Sequence, residues 1–306
     1  MDPELQKILK RQHYGLVGKH TGVKLCHWMK QSLLFGRQCY KQTFYGIESH
    51  RCLQMTPTIT HCTQMCLFCW RFQNFTEKEL HDIDEPEYIL EAAIQAQQKL
   101  LTGFKGDPRC DQKKWKEANQ PNMLACSLSG EPTLYPKLGE FFRACHRKGI
   151  TTFLVTNGTA PEILEHLDPL PTQLYVSVVA PTKELYKKIC APLIPDGWEK
   201  LQQTLELLPS LNTRTVIRHT LVHDWNMDDT MIEAYAKLDK LAQPTFIEPK
   251  GYVFVGSSRN RLHFSNMPTH DQVRHFGQGL AEHLGYHLTM EKADSLVVLL
   301  AQQPKK

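Results

Sequence analysis

Between residues 55 and 256 the chain repeats one alternation: a short apolar run, then a stretch of helical periodicity. The runs are MTPTIT (55–60), NMLACSL (122–128), TTFLVT (151–156), QLYVSVV (173–179), TRTVIRHTLV (213–222) and FIEPKGYVFVG (246–256). Helices are expected at 86–101, 136–148, 161–167, 182–190, 197–208 and 228–242. Pro86, Pro136, Pro161 and Pro181 sit at or just before helix starts, where a missing N–H costs little. Strands interleaved with helices call for a parallel sheet with right-handed crossovers. Six such units fall short of the eight that close a barrel. The expected fold is therefore α/β, a partial (βα)6 barrel over 55–256, with ligands at the carboxyl ends of its strands. Residues 1–54 and 257–306 read as N-terminal and C-terminal extensions. Segment 103–121, polar and lysine-rich, reads as a long basic loop.

The first run leads straight into THCTQMCLFCWRF (60–72), which places Cys62, Cys66 and Cys69 within eight residues. Structural zinc usually recruits four ligands in two close pairs. A single tight triplet instead suits three irons of a [4Fe-4S] cluster, the fourth iron staying open. That iron can chelate the amino and carboxylate groups of S-adenosyl-L-methionine (SAM) and reduce its sulfonium, while Phe68 packs on the adenine. The plain alternative is three small core residues. The N-terminus lacks an apolar signal segment and no apolar run reaches about 18 residues, so a cytoplasmic chain without a membrane span is expected. Thiols are reduced there, and ten cysteines then speak for metal more than for disulfides.

The second run is followed by SLSGEPTLYP, and together with the triplet this resembles the radical SAM superfamily. The resemblance puts Ser129, Gly130 and Glu131 at the methionine amino group, glycine allowing close backbone approach. It makes the expected barrel a radical SAM barrel. At the next strand ends Thr156, Asn157 and Ser177 suit ribose hydroxyls and the methionine carboxylate, or an Asn-Gly turn and a buried serine. Arg218 and His219 either reach the same pocket or form a satisfied core pair.

CTQMCLFCWR, SGEPTLYP and three upstream cysteines more narrowly resemble the 4-demethylwyosine synthase family, over most of the chain. That family builds a tricyclic base from N1-methylguanosine beside the anticodon of tRNA-Phe. The resemblance implies a carbon–carbon bond-forming lyase. Its deoxyadenosyl radical takes hydrogen from the N1-methyl group, the carbon radical adds to pyruvate, and loss of the carboxyl and ring closure follow. It also implies that Cys26, Cys39 and Cys52 hold a second [4Fe-4S] cluster whose open iron binds pyruvate. Their 13-residue spacing alone nominates no metal loop. Lys41, two residues past Cys39, is the candidate to form a Schiff base with pyruvate, or else a surface lysine. Without a flavodoxin-like domain the chain resembles the shorter archaeal form and needs an external one-electron reductant.

Residues 1–61 carry a net charge of about +6 within a chain total of +4, which suits a polyanionic partner or simply a solvated face. For an anticodon loop, Trp28, Tyr40, Lys113, Lys114, Lys116, Arg259 and Arg261 are the stacking and phosphate candidates. Cys110, Cys126, Cys145 and Cys190 are expected to be structural, and the chain a monomer. Two rival readings are a radical SAM activase acting on a protein partner and a non-catalytic iron–sulfur or zinc RNA-binding protein.

Overall fold

A computed structural model describes residues 1–302; residues 303–306 of the expected C-terminal extension lie outside the described part. The chain divides into two compact units. The first comprises Met1–Cys62, Phe75–Val155 and Leu167–Thr172, and the second Thr63–Asn74, Thr156–His166 and the chain from Gln173 onward.

In order, the first unit contains α1 (Pro3–Arg11), β1 (Gly15–Val17), β2 (Thr21–Val23), α2 (His27–Phe35), α3 (Tyr40–Tyr45), β3 (Cys52–Thr56), α4 (Pro86–Leu101), α5 (Gln112–Ala118), β4 (Met123–Cys126), α6 (Leu138–Arg147) and β5 (Thr151–Thr156). The β3–β4 and β4–β5 pairs are parallel, with Cys52 opposite Met123 and Met123 opposite Thr151. The β1–β2 hairpin joins antiparallel to β3, so the N-terminal region widens the sheet. Helix α4 begins at Pro86, as expected, and buries Ile89, Leu90, Ala93 and Leu101. Helix α6 buries Leu138, Phe141, Phe142 and Cys145. The i, i+3/i+4 spacing puts each set on one face, and the two helices pack together. Each large side chain so buried contributes about 1.5–3 kcal/mol. The rim pairs Arg147–Glu87 (2.8 Å) and Lys148–Glu91 (2.6 Å) are exposed and add little.

Segment 103–121 is not a loop. Asp111 caps α5, its carboxylate accepting from the amides of Lys113 and Lys114 at 3.0 Å each. The Trp115 indole then donates to the Leu101 carbonyl at 3.0 Å, anchoring α5 on the end of α4. An aromatic anchor plus a cap outweighs the polar composition.

The second unit contains α7 (Pro161–Glu165), β6 (Gln173–Ser177), α8 (Lys183–Cys190), α9 (Gly197–Leu207), β7 (Arg214–Leu221), α10 (Ile232–Ala242), β8 (Phe246–Gly251), α11 (His270–Leu284), β9 (His287–Lys292) and β10 (Val297–Ala301). β6, β7 and β8 are parallel, with Gln173 opposite Arg214 and Val216 opposite Phe246. β10 pairs antiparallel with β8 and with β9. β8 ends at Gly251, five residues before the expected end. The chain then leaves the sheet for a 3-10 turn over Gly256–Asn260. The fold is thus α/β with a parallel-dominated sheet; β4–β8 fall on the runs expected at 122–256, whereas the strand expected at 55–60 lies earlier, at Cys52–Thr56, because the chain turns out of the ladder at Pro57. No helix among the described residues is long and apolar enough to cross a membrane.

Candidate functional site

In the first unit, Cys26 is the N-cap of α2, Cys39 the N-cap of α3 and Cys52 the first residue of β3. Among the described residues none of the ten cysteines is in a disulfide. Burial pushes the Cys52 thiol far up from its ordinary range. The charges of Cys26 and Cys39 push the same way, and Lys41 opposes them. Three cysteines evenly spread along the sequence are therefore electrostatic neighbours, with Lys41 beside them. Lys41 is buried at 8 % exposure, its Nζ 4.9 Å from the centroid of the Phe153 ring. The turn between Cys39 and Cys52 is tied by Ser49. Its hydroxyl accepts from the Cys39 amide at 2.8 Å and donates to the Gln42 side chain at 2.7 Å.

The segment entering the cysteine triplet is also fixed in this unit. The Cys62 amide donates to the Glu77 carbonyl at 2.9 Å, and the Glu77 amide to the Thr60 carbonyl at 3.1 Å. Beyond β4, Gly130 adopts φ +74°, and a Cβ there would run into the carbonyls of Thr58 and His61. Only glycine fits that approach. The Glu131 amide donates to the His61 carbonyl at 2.7 Å and the Ser129 hydroxyl to the Ile59 carbonyl at 3.3 Å. The Glu131 carboxylate is buried and accepts from the Thr133 amide and hydroxyl at 3.2 and 2.8 Å, capping a 3-10 turn. The SGEP stretch therefore stitches its own backbone to residues 58–61.

In the second unit, Thr63–Asn74 carries Cys66 and Cys69. Its main chain is held along its length. Met65 and Leu67 amides donate to the Cys190 and Ile189 carbonyls at 3.0 and 2.9 Å, and Cys69 closes back on the Cys66 carbonyl at 3.1 Å. Arg71, buried, donates to the Gln64 carbonyl at 2.9 Å, and the Gln73 side chain to the Cys66 carbonyl at 3.1 Å. Arg261 donates through Nε to the Leu67 carbonyl at 3.1 Å and through Nη2 to the Cys69 carbonyl. Expected to face RNA, Arg261 is half-buried and turned onto the cysteine turn, whose carbonyls need donors. The Ser257 amide donates to the Trp70 carbonyl at 2.9 Å. Gly256, at φ +58°, leaves that carbonyl the space a Cβ would take.

These contacts set the thiols' electrostatics. A hydrogen bond with Cys190, then burial, pushes the Cys66 thiol well up, against Arg71. Burial pushes Cys69 up, with Arg71 and Arg261 opposing it. Cys190, expected to be structural or incidental, is thus a direct neighbour of Cys66. Metal ligation needs thiolates. Half-buried thiols on one turn with two guanidiniums supplying positive charge fit an anionic, thiolate-ligated iron–sulfur cluster.

The remaining candidates fall into place less simply. Phe68 packs with Leu67 against a small core of Val222, Tyr252 and Leu262. Thr156 accepts the Gly158 amide at 3.1 Å. The Asn157 amide donates to Thr63 Oγ1 at 2.8 Å, and its oxygen accepts from Thr159 Oγ1 at 2.7 Å. That triangle anchors the start of the cysteine segment, a role sequence reasoning missed. Ser177 is half-buried at the end of β6, in register with Arg218. Arg218 and His219 do not share a pocket, because neighbours on a strand point to opposite faces. Arg218 lies 4.5 Å from the Tyr175 ring centroid and donates to Glu248 at 2.8 Å. His219 is buried between the Val178 carbonyl (2.7 Å) and Asp239 (2.9 Å). In the first unit, Trp28 lies 5.4 Å from the Arg37 guanidinium, Lys113 is exposed, and Lys114 reaches the Ser32 carbonyl at 3.4 Å. In the second unit, Arg259 is exposed.

A family model of the radical SAM superfamily matches residues 56–235, and one described as wyosine base formation matches residues 241–302. An S-adenosyl-L-methionine-dependent tRNA 4-demethylwyosine synthase of Pyrococcus abyssi is 53 % identical over 98 % of this chain and 89 % of its own length. The human synthase is 42 % identical over 99 % of this chain, which spans 42 % of that relative. A solved structure, described as TYW1 with a lysine–pyruvate adduct bound, superposes with a TM-score of 0.90 at 38 % identity. It covers 99 % of this chain and 97 % of the other.

Proposed function

This chain belongs to the family of S-adenosyl-L-methionine-dependent tRNA 4-demethylwyosine synthases, which are radical SAM enzymes. From that premise we propose that it converts N1-methylguanosine beside the anticodon of tRNA-Phe into 4-demethylwyosine, with pyruvate as two-carbon donor. The reaction is of lyase type: a carbon–carbon bond forms and the pyruvate carboxyl departs. Cys62, Cys66 and Cys69 would hold one [4Fe-4S] cluster and Cys26, Cys39 and Cys52 a second. When bound, and fed by an external one-electron reductant, the clusters supply reduction of the SAM sulfonium and a Lewis-acidic site for an α-keto acid.

The observation that carries this reading is Lys41, buried beside Cys52, whose ionisation also feels Cys26 and Cys39. A buried primary amine next to a thiolate-held metal is where a ketone can be both polarised and attacked. The Lys41 amine adds to the pyruvate carbonyl and water leaves, giving a Schiff base. The lysine–pyruvate adduct in a relative of TM-score 0.90 supports the assignment. For SAM, Phe68 packs on adenine, the backbone of Ser129, Gly130 and Glu131 meets the amino group, and Thr156, Asn157 and Ser177 meet ribose and carboxylate. Trp28, Lys113, Lys114 and Arg259 meet the RNA.

The test is anaerobic iron and sulfide content with EPR, comparing wild type with a Cys26/Cys39/Cys52→Ala variant. About eight irons per chain should fall to about four, with SAM still cleaved and no tricyclic base formed. Equal iron in both proteins would falsify the second centre.

A further inference from the structure

Among the described residues nine large apolar side chains stand exposed, and three of them, Val253, Val255 and Phe264, fall within twelve residues. Phe264 is the most exposed of all, at 71 %. Single exposed apolar residues need no explanation, but a cluster does. The surrounding charge has one sign: residues 250–267 hold Lys250, Arg259 and Arg261 and no carboxylate.

This stretch is rigid. Ser258, fully buried, bonds the Tyr252 hydroxyl at 2.8 Å and donates to the Val255 carbonyl at 2.6 Å. The amides of Arg261 and Leu262 both return to the Ser258 carbonyl at 2.9 Å. Phe254 meets Phe264 edge-on at 6.0 Å and 87°. The Arg259 guanidinium lies 5.4 Å from the Phe254 ring centroid, and its Nε donates to the Phe254 carbonyl at 3.2 Å. Phe264 is thus set against the Phe254 ring with most of its surface exposed, and a partner stacking on it need not order the loop first. The same stretch bonds the cysteine turn through Ser257 and Arg261.

We propose that residues 252–267 form a stacking platform for an unpaired nucleobase of the RNA substrate. Phe264 offers its ring and Arg259 meets a neighbouring phosphate. An exposed aromatic face beside a cation is the combination that recognises splayed bases in single-stranded loops. Because the platform is bonded to the Leu67–Trp70 turn, a base stacked there is registered against Cys66 and Cys69. The inference rests on the tRNA-modifying reading above and adds a contact to it.

The test uses the anaerobically reconstituted chain and a synthetic anticodon stem-loop of tRNA-Phe bearing N1-methylguanosine, with 2-aminopurine at an adjacent loop position. Phe264→Ala should weaken binding roughly 5- to 150-fold, the range for losing one base–aromatic stack. The 2-aminopurine quenching seen with wild type should vanish. Phe264→Trp should bind within about threefold of wild type, since any aromatic face stacks. Iron content and Tm check that each variant is folded. Unchanged affinity in Phe264→Ala overturns the platform, as does equal weakening in Ala and Trp variants, which marks a packing role. Intact RNA binding with slowed reduction by a protein electron donor also overturns it and gives the patch to that donor. A wild type that ignores the RNA instead sinks the tRNA reading itself.

Discussion

Replacing Arg261 by Gln removes the guanidinium that donates to the Leu67 and Cys69 carbonyls. A hydrogen bond from a charged donor is worth about 1.5–3 kcal/mol. Arg261 is only half-buried, so solvent screens part of this, and losing both bonds should cost about 2–3 kcal/mol locally. The loss falls on the turn, where the Leu67 amide is held by Ile189 and the Cys69 amide by Cys66. Hydrogen exchange through local opening should then quicken about 30- to 150-fold for these amides, at 1.4 kcal/mol per tenfold. The assay is exchange mass spectrometry on a peptide covering 63–74, with one covering α4 as the control for global unfolding. Arg261→Lys should fall between, because an ammonium cannot present the planar fork that serves two carbonyls at once. Uptake in 63–74 unchanged within about a factor of two would refute the idea that Arg261 braces the turn.

Two further outcomes follow from buried groups. Arg218→Met takes the guanidinium away from the fully buried Glu248 carboxylate and should cost about 3–5 kcal/mol, a fall of roughly 10 °C in Tm. The double variant Arg218→Met/Glu248→Leu should recover most of it, and a double variant as unstable as the single one refutes the ion-pair account. His20 donates through Nδ1 to the Pro57 carbonyl at 2.5 Å, and its Nε2 accepts from the Asp84 amide at 2.9 Å. Burial lowers its pKa from 6.5. The unfolded chain therefore binds the proton more readily, and the stability due to neutral His20 is whole above about 6.5 and drains as pH falls below it. Melting curves between pH 8 and 5 should show a steeper acid loss for wild type than for His20→Gln; parallel curves would count against this.

Much of the architecture was legible because its signals are local. Pro86 at the first helical position and the apolar face behind it marked α4 at both ends, and TTFLVT marked β5. What escaped was decided at a distance. β1 and β2 are three residues each, too short for any period to register, and exist because β1 pairs with β2 and β2 with β3. Asp111 before Gln112 was a readable cap for α5, overruled by lysine-rich composition. In the site, the spacing of Cys62, Cys66 and Cys69 carries their chemistry. Nothing in a 13-residue interval says that two helix starts and a strand start will meet at Lys41. The opposite facing of Arg218 and His219 could have been read from strand alternation alone.

Arg261 also bears on how far the chain is modular. The stretch matched as radical SAM ends at residue 235, so a fragment cut there keeps every cysteine of both sets. It would nonetheless lose Arg261 and Ser257, the donors to the Leu67, Cys69 and Trp70 carbonyls. Swapping the C-terminal region between relatives therefore exchanges part of the cysteine turn's scaffolding along with whatever that region recognises, and a chimera must carry the matching turn to keep its metal.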